Sequence, residues 1–219
     1  MFGPQRTPDP SQAFVFPDWS PYTDLGEAAQ AYFRDPEIAI GALAGALGPD
    51  GVVLGFTLER MVGDDGMVWQ EAAVCDGRRL LLWHGEDVPE SEFTGGAMTS
   101  AIRTIPLERI TEVGYRQLIT RDEDGTAQLH GVDVYILLES LDEAGPSARD
   151  AEGGTVIRHD AIRLGKTADA GGPGQMDRLT AFAHLVGELA GCPAGAGPVQ
   201  PAPPQRFTPR RGRQPRPRL

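Results

Sequence analysis

The spacing of apolar residues changes from helical to alternating and back to helical along the chain. Residues 1–21 hold prolines at 4, 8, 10, 17 and 21, which forbid regular structure, while Phe14, Phe16 and Trp19 provide apolar anchors. This segment reads as an extended arm packed on its own domain, with a partner-binding linear motif as the alternative. Leu25, Ala28, Ala29, Tyr32 and Phe33 then share one helical face, after Thr23 or Asp24 as the cap. Asp35-Pro36-Glu37 starts a second helix, which Gly48-Pro49-Asp50-Gly51 stops.

From Val52 the period becomes two, with Val52, Leu54, Phe56 and Leu58 on one face up to a turn at Gly63-Asp64-Asp65-Gly66. Met67–Cys75 and Arg78–His84 are the next strands. Asp76-Gly77 between them is a hairpin signal that requires positive φ at both central positions. An acidic loop over 85–93 leads to strands at Thr99–Ile105 and Ile110–Thr120, interrupted at Pro106–Arg109. After a turn at Asp122–Gly125 comes Val132–Leu141, β-branched and almost continuously apolar, as a central strand is. A polar loop over 142–154 precedes a last strand at Val156–Leu164.

Helical spacing returns with Met176, Leu179, Phe182, Leu185, Val186 and Leu189, with Gly191 and Pro193 past the end. One fully apolar face must cover a core. Residues 193–219, rich in Pro, Gly and Arg, cannot bury surface and are expected to be disordered when free. The expected organisation is an arm (1–21), a single domain (22–192) and a basic tail (193–219).

Charge sharpens that division. The formal net charge is −11, yet Arg206, Arg210, Arg211, Arg213, Arg216 and Arg218 stand in a tail without acids, leaving the rest at −17. Such a body repels nucleic acid and anionic lipid, so only the tail could attract them. Lys166 is the one lysine; the arginine bias, with abundant Ala, Gly and Pro, resembles the usage of a GC-rich genome such as an actinobacterium's. Two cysteines, Cys75 and Cys192, make no disulfide framework, no apolar run spans a bilayer, and the N-terminus lacks a secretory pattern. A cytoplasmic location is the expectation.

Arg103-Thr104-Ile105-Pro106-Leu107-Glu108-Arg109-Ile110-Thr111-Glu112-Val113 resembles the I-P-L-x-x-I-x-x-V passage of bacterial pleckstrin-homology-like domains. The span from about Asp24 to Gly191 is also similar to an uncharacterised actinobacterial domain family with leading helices, a strand series and a terminal helix. The resemblance implies an α+β, mainly β, fold: a pleckstrin-homology-like barrel of about seven antiparallel strands, capped by the amphipathic helix and preceded by two short helices. Phosphoinositide-binding relatives place basic residues between the first two strands. Here that loop is Val62-Gly63-Asp64-Asp65-Gly66, so a phosphoinositide ligand is disfavoured by repulsion.

Catalytic motifs are scarce. Gly165-Lys166-Thr167 lacks the earlier glycine of a phosphate-binding loop, since that position is Asp160. Asp122-Glu123-Asp124-Gly125 would put Thr120 and Gly131 at calcium-ligand positions, and reads as a turn. His84, His130, His159 and His184 show no metal-ligand spacing. The sequence therefore points to a non-catalytic adaptor without a cofactor, binding a protein segment along a sheet edge or beside the C-terminal helix. The rival readings are a nucleic-acid- or membrane-associated protein tethered by the six tail arginines, and an enzyme using His159 with Asp160, or His84.

Overall fold

The computed structural model describes residues 16–122, 124–139 and 161–192. The arm's first fifteen residues, the whole polar loop over 142–154, residues 156–160 of the expected last strand with His159 and Asp160, and the arginine tail lie outside them.

Helix α1 (Leu25–Tyr32) begins where the Asp24 carboxylate accepts the Glu27 N–H at 2.9 Å. Helix α2 (Pro36–Leu47) has proline at its first position but no side-chain cap, because the Asp35 carboxylate is instead held by Arg34 Nε at 2.6 Å. Seven strands follow among the described residues. They are β1 (Gly55–Val62), β2 (Val68–Cys75), β3 (Arg79–Val88), β4 (Ala97–Pro106), β5 (Ile110–Arg121), β6 (Ala127–Leu138) and β7 (Ala161–Thr167). Helix α3 (Gly172–Leu189) ends the described chain. The fold is α+β and mainly β.

The strands form two antiparallel sheets, β1-β2-β3-β4 and β5-β6-β7. The barrel implied by the resemblance does not close. β4 and β5 are joined by a 3-10 corner at Leu107–Arg109 and do not pair, nor do β1 and β7, so both sheets stay open. β6 is central in its sheet, as its apolar run predicts.

The hairpin at Asp76-Gly77 exists, with a different turn from the one expected. Asp76 donates its N–H to the Arg79 carbonyl, so Gly77 (φ 89°) and Arg78 are the central pair. The Asp76 carboxylate accepts the N–H groups of Arg78 and Arg79 at 2.8 and 2.6 Å. Moving the turn forward shifts cross-strand partners by two residues, which keeps every side chain on its expected face. β3 also runs through Gly85–Val88, expected in the acidic loop. Asp87 is neutralised there by both terminal nitrogens of Arg34 and accepts the Val68 N–H at 2.8 Å. β1, conversely, starts at Gly55: Val52 and Leu54 lie outside the strand and are 59% and 50% exposed.

Two cores result. One lies between the sheets and under α3, where Cys75, Leu80, Val134 and Ile136 meet Met176, Leu179, Phe182 and Val186. Leu189, expected on that apolar face, is exposed. The other lies on the opposite face of β1-β2-β3, where Leu58, Leu81 and Trp83 meet α1, α2 and a fully buried Trp19 from the arm. β2 and β3 therefore bury both faces along much of their length.

The seam between the unpaired strands β1 and β7 is bridged by Lys166. Its side chain is 1% exposed, and its ammonium lies 3.0 Å from Glu59 on β1. It also donates to the Tyr32 hydroxyl of α1 at 3.3 Å. Burial pushes the lysine pKa down and the Glu59 pKa up, and each charge opposes the shift of the other. Removing one partner from such a pair costs about 3–5 kcal/mol, whereas replacing both by apolar groups is close to neutral. Glu59→Leu should therefore lower unfolding free energy in urea by about 3 kcal/mol, and adding Lys166→Met should recover most of it; equal losses in the single and double variants would contradict this account.

Candidate functional site

A groove of about 380 Å³ runs between the start of β1 and the exposed side of α3. Its walls are Leu54 and Phe56 on one side and Ala181, Phe182 and Leu185 on the other. Gly55 holds it open: a Cβ there would lie 2.5 Å from a Leu185 methyl. Arg178 sits at one end, its guanidinium 4.9 Å above the Phe56 ring and 5.5 Å from that of Trp19. Among the described residues no carboxylate pairs with Arg178. An unpaired strand edge, an apolar trough and a cation thus meet at one place beside the C-terminal helix. An extended segment carrying one or two large apolar side chains fits that combination.

A second surface, only partly covered among the described residues, lies on the β5-β6-β7-facing side of the first sheet. Cross-strand partners place Glu59, Glu71, His84 and Ala101 in one row, and Met61, Trp69, Glu86 and Thr99 in the next. His84 lies between two carboxylates, with Glu71 3.2 Å from Nδ1 and Glu86 3.4 Å from Nε2, and Trp69 meets the imidazole edge-on. Burial raises the Glu71 pKa, more than the His84 contact lowers it.

The candidates from sequence fare unevenly. The six tail arginines, His159 and Asp160 lie outside the described residues, so the structure does not place them. His84 is brought together with Glu71 and Glu86. His184 meets Tyr115 edge-on, and Gly165-Lys166-Thr167 is strand, with its lysine buried. Cys75 is buried and Cys192 half-buried, both as free thiols. Among the described residues no cluster of three His, Cys, Asp or Glu side chains could hold a metal ion, and no helix is long and apolar enough to cross a membrane. The sequence points to a surface beside the C-terminal helix, where the groove lies, but not to Glu71, Trp69 or Arg178. The i, i+2 pairs Trp69/Glu71 and His84/Glu86, on strands joined by a tight hairpin, were the available signal. Comparison with protein-family models, curated proteins and solved structures finds no match to this chain.

Glu71 allows a pH test. Its folded-state pKa is raised, so the penalty for ionising it is absent below its unfolded value, near 4.5, and grows as pH climbs through the folded value. Glu71→Gln should therefore raise Tm at pH ~7 and leave it near that of the parent at pH ~4. A larger gain at the acidic end would refute the assignment.

Proposed function

We propose that this protein is a non-catalytic, pleckstrin-homology-like binding module that recognises a protein segment in the β1–α3 groove. The four-plus-three strand arrangement with a helix packed on the second sheet supports the architectural part of this reading. The observation that carries the functional part is the groove itself, with apolar walls, the unpaired edge of β1 beside it and the exposed Leu54 in its wall. Strand addition supplies main-chain hydrogen bonds, and the trough selects an apolar side chain at alternate positions. Arg178 favours an acidic residue next to that anchor.

The groove can be blocked without touching a core. Ala181 is exposed on α3, and arginine is a good helix former there. Peptides selected from a random displayed library on the full chain should carry an apolar anchor and bind with fluorescence-anisotropy Kd values that worsen at least tenfold in Ala181→Arg and in Leu54→Asp. Thermal unfolding of both variants should match the parent. Failure to select any peptide, or peptides indifferent to both substitutions, would reject the reading.

A further inference from the structure

The inner face of the first sheet is covered only along half its length. Near the Asp76 turn, Ala73, Cys75, Leu80 and Ile105 are buried between the sheets. Two rows further along, the same face is open among the described residues: Met61 is 58% exposed and the Glu86 side chain 55%. Unpartnered sheet surface of this kind combines an indole, a thioether and carboxylates. Around its rim stand the exposed acids Asp64 and Asp65 from the β1–β2 turn, and Glu90 and Glu92 after β3. Two cations border the face. Lys166 is committed to Glu59, and Arg103 lies on the inner side one row nearer the core.

We propose that the occupant of this face is the arginine tail of the same chain, residues 206–218. Charge complementarity supports it: six arginines without an acid, set against a remainder at −17. The chemistry matches in kind as well as sign. Guanidinium groups bind carboxylates through two parallel hydrogen bonds and stack on indole rings, and Glu71, Glu86 and Trp69 lie on adjoining rows. Reach is sufficient. The described chain leaves at Cys192, whose thiol is 3.8 Å from the Ile110 carbonyl oxygen. The fourteen residues from there to Arg206 extend up to about 45 Å, comparable with the whole diameter of a domain this size. A tethered segment also meets its site at an effective concentration in the mM range, well above that of a free cationic partner in dilute solution. The docked tail screens the acidic face from other cationic segments and keeps its own arginines from nucleic acid. This interaction is independent of the β1–α3 groove.

The test uses the full chain and a full-length variant with all six tail arginines changed to glutamine. In NMR spectra at low salt, the Trp69 indole N–H and backbone signals of 69–71 and 84–86 should differ between the two proteins. They should coincide at about 1 M salt, where the screening length is about 3 Å. A peptide of residues 204–219 added to the glutamine variant should move those signals back toward the parent positions. Changing Glu71 and Glu86 together to glutamine should weaken that peptide at least fivefold. Coincident spectra at low salt, or shifts confined to other surfaces, would overturn the proposal. Tail signals that respond only to added duplex DNA or anionic vesicles would also overturn it, in favour of an external ligand.

Discussion

The buried contact between Lys166 and Glu59 is the constraint on which the arrangement of the two sheets depends. No backbone hydrogen bonds cross from β1 to β7, so nothing periodic fixes their spacing. A single ammonium does so instead, and because Tyr32 shares it, the same contact sets where α1 lies on the first sheet. Apolar packing alone tolerates sliding, since dispersion and burial are nearly indifferent to direction. A desolvated charge is not indifferent, because every displacement from its partner leaves it unsolvated and unpaired. The pair therefore contributes definition of geometry more than net stability.

That constraint explains how one sheet serves two cores. With the seam pinned, α3 can fill the space between the sheets while α1, α2 and Trp19 close the other face. It also explains what stays open. The second sheet reaches only part of the first, and the part beyond it cannot be apolar without exposing a large hydrophobic patch. There the strand alternation continues with Glu71, His84 and Glu86 in place of Ala73, Leu80 and Leu82. The acidic face and the β1–α3 groove are both places where the covering elements end before the strands do.

Much of the framework was readable from local chemistry. The Asp24 cap, the Pro36 start, the Asp-Gly hairpin and the apolar face of α3 depend on residues within a few positions of one another. What was missed depends on distant residues. Gly85–Val88 carry polar groups on both faces, and only Arg34, more than fifty residues earlier, makes strand geometry comfortable for Asp87. Leu54 continues the alternation of β1 yet belongs beside α3. Lys166 falls two residues past the expected end of the last strand at Leu164, and its partners are a helix and a strand near the start of the chain.

The burial of Lys166 has a further consequence for how this protein can be chemically marked. As the chain's one lysine, it carries the sole ε-amine, and in the folded state that amine is sealed between the sheets. Acylation, carbamylation and isopeptide conjugation all begin with an unprotonated, reachable amine. The folded body offers them no lysine. A lysine adduct found on this protein would record a molecule whose seam had already come apart, and once acylated that side chain could no longer carry the charge that closes it.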